Sequence, residues 1–278
     1  MKSQSRPGSL RIAELGFLAV YVVANVYPFL WMVSTSFKTR EQSYLDNGLI
    51  PSPITGDAYA TVASAINLPQ AVANSVLYSG MTLACVLLIY PMAGFVLALI
   101  PFRGSNTVFA ALVSGLLVPV IVLLVPIVIL VQEAHLLNTW LGLLLPTVVA
   151  AGPVPLFLMR NYFALLPRDL LDAARIDGAN FFGAFRRIYL PLSVPALTTV
   201  SILTLVYVWN SYILPSLIIS NPDMATLPLA LFSLNTSGHP APSELMAGGL
   251  LVILPLIVAF LFLQRYYVAG LTAGATKQ

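Results

Sequence analysis

Residues 172–191 read DAARIDGANFFGAFRRIYLP. This is a charged, amphipathic stretch in a chain that is otherwise almost all apolar. It holds five charges, Asp172, Arg175, Asp177, Arg186 and Arg187, and apolar runs long enough to cross a bilayer lie on both sides of it. A polar helical segment in that position lies at or beyond the bilayer surface. It offers a docking surface to a soluble partner, or it rests on the membrane as an interfacial hairpin. The residue pattern alone leaves both open.

The composition fixes the solvent. The 278 residues are 59% hydrophobic and 8% charged, where a soluble domain carries about 25% charged residues. One core of this size cannot hide that much apolar surface, so the solvent is lipid. A net charge of +3, dispersed along the chain, gives no nucleic-acid footprint. Cys85 is alone inside an apolar run, which excludes a disulfide framework and a cysteine metal cluster; it reads as a small packing residue.

A membrane helix needs about 20 mostly apolar residues. Six runs qualify: 12–35, 73–100, 107–131, 140–163, 191–217 and 246–268. The first follows Lys2, Arg6 and Arg11, but it is longer than the roughly 7–15 residues of a signal h-region and has no small-residue cleavage site, so it reads as a membrane helix. The stretches 38–72 and 218–245 read as longer loops. Within the second, Pro228, Gly238, Pro240 and Pro242 argue for a loop over 224–243. Pro28, Pro91, Pro119, Pro126, Pro146, Pro153, Pro155 and Pro255 each remove a backbone donor and can kink a span. Gly248, Gly249 and the small residues Ala110, Ala111, Ser114 and Gly115 permit close helix contact.

Basic residues orient the chain. With a cytoplasmic N-terminus, Lys2, Arg6, Arg11, Arg103, Arg160, Arg168, Arg175, Arg186, Arg187, Arg265 and Lys277 are inside, and Lys38 and Arg40 alone are outside. Eleven against two places both termini and the stretch 164–190 in the cytoplasm.

What is missing narrows the function. No run resembles G-x-x-x-x-G-K-[ST], so the chain holds no ATP through a Walker site. His135 and His239 lie far apart in outer loops and read as solvated residues. The cores of the spans hold no Asp, Glu, Lys, Arg or His, and Glu14 sits at the edge of the first. Ion-coupled carriers and intramembrane enzymes place ionisable groups at depth. Ser, Thr, Asn, Gln, Tyr and Trp can bind a neutral polar solute, but the energy for active transport must come from elsewhere. A stand-alone channel or carrier is the rival class; an intramembrane enzyme fits less well.

The cytoplasmic stretch has its own grammar. Pro167, Asp169 and Asp172 suit a helix start. Leu170, Leu171, Ala174 and Ile176 supply apolar positions. Asp177–Gly178 ends that helix, because glycine takes the left-handed conformation cheaply. Asn180 caps a second helix carrying Phe181, Phe182, Phe185 and Ile188, and Pro191 marks the start of the fifth span. The small residues Ala173, Ala174, Gly178 and Ala179 cluster at the turn.

Asp172–Ala173–Ala174–Arg175–Ile176–Asp177–Gly178–Ala179, followed by Ile188, Leu190 and Pro191, resembles the EAA loop of permease subunits of binding-protein-dependent ABC importers, whose pattern is E-A-A-x-x-D-G-A, a spacer and I-x-L-P. Arg160–Asn161–Tyr162–Phe163, Leu166–Pro167, Trp209–Asn210 and the tail Gln264–Arg265 with Gly270–Ala275 are similar to the carbohydrate-importer, maltose-type branch, as are Tyr27–Pro28–Phe29, Trp31–Met32 and Ser34–Lys38. The resemblance covers nearly the whole chain. One departure stands out: Asp172 occupies a position where the family usually has Glu.

The resemblance implies an all-α membrane protein of the cytoplasmic membrane, a single permease domain over 1–278 with six transmembrane helices and a type I ABC importer architecture. It implies a second permease subunit, two ATPase subunits that hold ATP and Mg, and an external substrate-binding protein; this chain carries no cofactor and no metal. Asp172, Ala173, Ala174, Asp177, Gly178 and Ala179 would shape the elbow entering the ATPase groove. Arg175, Arg186 and Arg187 would pair with acids there or with anionic headgroups, or remain solvated. The tail from Gly270 to Gln278 would also touch the ATPase. Tyr207, Trp209, Asn210 and Tyr212 are the candidates for solute contact. The solute would be a sugar, with glycerol-3-phosphate or its diesters as the neighbouring alternative.

Overall fold

The computed structural model describes the backbone of residues 8–275 and the side chains of 14–236 and 238–262. Lys2, Arg6 and Lys277 lie outside the described residues, and the side chains of Arg11 and of the tail from Gln264 onward lie outside the described side chains. All regular structure among the described residues is helical. The chain divides into two compact units, one formed by the residues up to Ile66 with Ser233–Ile253, the other by Asn67–Phe232 with the residues from Leu254 on.

The first unit begins with α1 (Gly8–Ser36), a helix whose apolar side chains from Leu15 to Leu30 are all exposed. Such a surface is stable only against lipid or another chain. Its end is polar and ordered. Ser36 Oγ donates to the Val33 carbonyl and lies 2.9 Å from the Tyr59 hydroxyl. Two short helices follow in what the sequence reads as loop, α2 (Arg40–Leu45) and α3 (Asp57–Ala65). Thr39 caps α2 by accepting from the Gln42 amide.

Lys38 is 1% exposed, and its ammonium donates to the carbonyls of Asp46 and Gly48 at 2.6 Å each, with the Asp46 carboxylate 3.6 Å away. The Gly48 amide holds the Asp46 carboxyl below the usual carboxylate range, and Lys38 and Gln42 add to the effect. Arg40 pairs with Glu244 at 3.1 Å and donates to the His239 carbonyl; Glu244 also accepts from the Ala241 amide. Lys38→Met would remove two part-buried hydrogen bonds from a charged donor, each worth about 1.5–3 kcal/mol. A clear drop in the thermal unfolding midpoint of the detergent-solubilised protein is the expected result, and an unchanged midpoint would show that the nest does not hold the unit.

In the second unit the longest helix is α4 (Leu68–Leu99), capped by Asn67, with Pro69 in its first turn. Pro91 lies inside it without interrupting it. Then come α5 (Ser105–Val113), α6 (Val120–Glu133), α7 (Trp140–Ala151) and α8 (Pro153–Leu165). The apolar run 107–131 is not one straight helix: α5 with its short 3-10 extension and α6 meet at 103°. Val118 precedes Pro119 and is extended, as that position prefers. The run 140–163 bends by 46° at Gly152. A Cβ on Gly152 would fall on the Tyr90 hydroxyl, which donates to the Val148 carbonyl at 2.8 Å, so glycine makes room for that brace.

Beyond the polar stretch come α9 (Asp169–Ile176), α10 (Phe181–Ala184), a π-turn (Phe185–Tyr189), α11 (Leu190–Leu192), α12 (Val194–Trp209) and α13 (Ile213–Ile218). The segment Phe181–Leu192 turns through 77° into α12 at Ser193, whose hydroxyl donates back to the Leu190 carbonyl. The fifth apolar run, 191–217, is therefore a bent start, α12, and a separate α13.

The core of this unit packs α4 on α8. Phe95 packs edge-on or tilted against Phe163, Phe185 and Tyr189 with ring centroids 5.1–6.0 Å apart, and Val86, Met159 and Val200 close around them. Cys85 packs beside this cluster as a free thiol.

The stretch 224–243, read from its prolines and glycine as a loop, contains α14 (Leu227–Ser237). The breakers sit at its ends: Pro228 is in the first turn, where its missing N–H is no loss, while Gly238, Pro240 and Pro242 follow it. Its first amide, Leu227 N, donates to Ser75 Oγ at 2.7 Å. The Asn74 amide donates to the carbonyls of Asp223 and Ala225, anchoring the preceding turn to α4. The last helix is α15 (Pro242–Ala275). Among the described residues, three helices are long and apolar enough to cross a bilayer, or up to six if each bent pair counts as one span.

Candidate docking elbow and membrane cleft

Helices α9 and α10 form an elbow whose inner side is bolted to the core. Leu171 and Ala174 are buried and Leu170 is half-buried. At about 100° per residue these three lie on one side of the helix, and Asp169, Asp172 and Ile176 fall on the other. Ile176 does not share the apolar face with Leu170, Leu171 and Ala174, as a simple list of apolar positions suggests. It is 86% exposed. Counting the helical period from Leu171 would have found it.

The turn is a Schellman motif. The Ala179 amide donates to the Ala174 carbonyl at 2.9 Å and the Gly178 amide to the Arg175 carbonyl at 3.0 Å. Gly178 has φ +81°, and a Cβ there would meet nothing within 4 Å. Glycine is thus favoured by the backbone, while the space beside it is open. Asn180 then caps α10, accepting from the Gly183 amide at 2.7 Å. The expected helix stop and cap are both present.

Asp172, Ala173, Arg175, Asp177 and Gly178 are exposed, and Ala179 is half-buried. Ala174 is 4% exposed and shapes the elbow from its inner side. The Arg175 guanidinium lies 5.6 Å from the Phe181 ring centroid. Asp169 and Asp172 in the first turn and Arg175 in the last complement the helix dipole. Phe185 and Ile188 pack inward, whereas Phe181 and Phe182 are exposed. Arg186 and Arg187 are exposed on the π-turn.

The tip therefore presents Asp172, Ala173, Ile176 and the open side of Gly178 on a rigid base. Charged and apolar groups alternate there at the surface.

The second feature is an open cleft of about 220 Å³ lined by Val120, Ile121, Leu124 and Ile127 of α6, Thr147 and Ala150 of α7, and Tyr207 and Asn210–Leu214. Tyr207, Asn210 and Tyr212 thus come together at one cavity. Trp209 does not line it. It is 7% exposed, because it sits 200° around α12 from Tyr207.

Two lining residues were not legible as candidates, Thr147 and Ser211. Thr147 donates to the Leu143 carbonyl, so Tyr78, 2.7 Å away, donates to Thr147. The Asn210 side-chain N–H donates to the Val206 carbonyl, which leaves its Oδ1 free to accept. The cleft lining includes no Asp, Glu, Lys, Arg or His. Its polar groups are neutral hydroxyls and one amide on an apolar wall, a lining suited to an uncharged polar solute.

His135 and His239 are exposed at turns with φ of 54° and 46°, in keeping with solvated loop residues.

The family described as "Binding-protein-dependent transport system inner membrane component" matches residues 91–272. Among curated proteins, the arabinooligosaccharides transport system permease protein AraQ of Halalkalibacterium halodurans is 34% identical over the full length of both chains. The trehalose transport system permease protein SugB of Mycobacterium tuberculosis is 31% identical, covering 97% of this chain and 99% of that one. Among solved structures, a chain of a bacterial ABC transporter involved in the import of the acidic polysaccharide alginate superposes with a TM-score of 0.81 at 21% identity, over 95% of this chain and all of the other. At that identity the likeness is one of fold.

Proposed function

This chain belongs to the binding-protein-dependent transport system inner membrane component family, and from that premise we propose that it forms half of a sugar-conducting pathway driven by separate ATPase subunits. It is a multi-pass membrane permease of an ABC importer, and its family is one of transport proteins rather than enzymes. The spans are the six apolar runs, with both termini in the cytoplasm. The basic-residue asymmetry supports this orientation. Lys38 and Arg40, the two basic residues on the outer side, are both locked into local pairs.

The elbow carries the reading: a Schellman turn fixed to the α4–α8 core, with Asp172, Ala173, Ile176 and Gly178 facing outward. Two ATPase subunits, holding ATP and Mg, close on ATP binding and push on this tip. Because its inner face is packed into the Phe95 cluster, the push reaches α4 and α8 as a rigid displacement and turns the pathway outward. Hydrolysis resets it. A second permease subunit completes the pathway and covers the apolar length of α1, and an external binding protein delivers the solute.

The solute is a carbohydrate, in line with the relatives' arabinooligosaccharide and trehalose systems. Tyr207, Asn210 and Tyr212, with Thr147 and Ser211, offer it hydroxyls, an amide and aromatic faces. Asn210→Ala is expected to raise the half-saturation concentration for uptake about 2–10-fold, the worth of one neutral hydrogen bond of about 0.5–1.5 kcal/mol. Unchanged uptake would remove the cleft from the pathway. Purification in mild detergent tests the larger reading. The ATPase subunits remain bound to the permease, and transport by the purified chain alone would instead make it a channel or carrier.

A further inference from the structure

The docking tip leaves one feature of the elbow unused. Arg186 and Arg187 border a single open recess of about 530 Å³ with Asn180, Phe182 and Gly183. Both guanidiniums are exposed, and neither has an ion pair or hydrogen bond among the described residues. The opposite side of the same segment is fixed, since Ala184, Phe185 and Tyr189 are buried in the core. The backbone that carries the recess is therefore held in place.

Its surroundings point to the bilayer. The segment Phe181–Leu192 makes an angle of 77° with α12. A membrane helix tilts about 20° from the bilayer normal on average. On the topology proposed above, on which this inference rests, the segment thus runs close to the membrane plane. Phe182 lines the recess and is 57% exposed, and Leu192 and Val194, farther along the chain at the turn into α12, are each 46% exposed. Arginine and an aromatic ring flanked by apolar residues are the composition of an interfacial segment. The docking tip, by contrast, carries Asp169, Asp172 and Asp177 beside Ile176 and Ala173.

We propose that the Arg186–Arg187 recess binds the phosphate headgroup of an anionic phospholipid of the cytoplasmic leaflet. A guanidinium presents a planar fork of donors that matches phosphate oxygens two at a time. A zwitterionic lipid carries no net charge to reward the pair. The bound lipid seats the arginine side of the elbow at the headgroup level, while the elbow and the core beneath it move as one body.

The test uses the assembled transporter, delipidated in detergent and titrated with short-chain phosphatidylglycerol or phosphatidylcholine, with bound lipid counted on the permease by native mass spectrometry. Wild type binds phosphatidylglycerol in preference to phosphatidylcholine. Arg186→Gln with Arg187→Gln weakens phosphatidylglycerol binding about 30-fold, the factor corresponding to about 1 kcal/mol per basic residue near an anionic surface. The ATPase subunits remain bound. Arg186→Lys with Arg187→Lys keeps the charge and the fold and binds between the two. Arg168→Gln with Arg175→Gln, nearer the tip, leaves lipid binding unchanged. Undiminished phosphatidylglycerol binding by the glutamine pair overturns the proposal, as does loss of the ATPase subunits from that variant in lipid-free detergent, which would assign the arginines to the ATPase interface. Failure of wild type to retain any ATPase counts against the docking elbow instead, and the lipid count on the permease is read independently of it.

Discussion

Gly178→Asp leaves the chain inserted and folded but reduces ATP-driven uptake to background. Two physical facts separate these effects. The backbone at Gly178 has φ +81°, and Asp tolerates the left-handed region better than most residues, at a cost of roughly 1–2 kcal/mol or less. A Cβ there meets nothing within 4 Å, so the permease itself has room for the side chain. That open space is where the account puts the ATPase surface. A carboxylate filling it sits among Asp172 and Asp177 and keeps the partner at a distance. Each 1.4 kcal/mol of docking lost is about a factor of ten in affinity, so uptake falls by at least about tenfold and ATP hydrolysis no longer responds to solute. Gly178→Ala pays the left-handed strain without the charge and is expected to lose much less. Measuring expression, ATPase activity and uptake on the three proteins separates strain from docking; normal uptake by the aspartate variant would remove the elbow from the mechanism.

Gly94→Val is expected to abolish recovery of folded protein. A Cβ on Gly94 would lie 2.9 Å from the Arg160 amide nitrogen and 2.9 Å from Met159 Cβ. One of these is backbone, and α4 and α8 are both long packed helices, so neither can step aside cheaply. Overpacking costs about 1–3 kcal/mol where a core can adjust. Here the helices must part, and the Phe95, Phe163 and Tyr189 rings that anchor the elbow part with them. Size-exclusion profiles in detergent should show aggregate in place of the monodisperse peak. Gly80→Val, on the same helix but with nothing within 4 Å of its Cβ, should behave as wild type. A monodisperse Gly94→Val would mean that α4 and α8 are not the frame on which the elbow rests.

Much of this architecture could be read from residues 172–191 outward. A glycine after Asp177 and an asparagine before two phenylalanines have few other uses, and both do in the structure what their chemistry favours. Three features were hidden for physical reasons. Hydropathy marks apolar length but not straightness, so it could not show that α5 and α6 meet at 103° or that α12 begins only after a 77° turn. Proline was an uneven guide to bending: Pro91 lies in an uninterrupted α4, while Pro119 and Pro153 stand at the 103° and 46° bends. Breakers also misled over 224–243, where they bound a helix instead of preventing one.

Small residues gave the converse problem. A Cβ on Gly249 would lie 3.6 Å from Met32 Sδ and one on Gly115 3.3 Å from Pro153 Cγ, the close approach that small residues permit. The close α4–α8 crossing at Gly94 carries no sequence mark, because nothing local says which face of α4 meets α8. Lys38 likewise reads as an outer charge, yet it is a buried structural cation. In the cleft, Tyr207 and Asn210 share a face at i, i+3, which periodicity can find. Thr147 arrives from another helix, and only the fold brings it there.

The docking claim is tested most directly at Ile176, the exposed apolar residue of the tip. Cys85 is the sole cysteine, so Ile176→Cys in a Cys85→Ala background carries a single photoactivatable maleimide in membranes holding the assembled transporter. Illumination should yield one adduct whose partner peptides include a G-x-x-x-x-G-K-[ST] nucleotide-binding loop. Adducts to lipid alone, with the ATPase present in the same membranes and unlinked, would contradict the account.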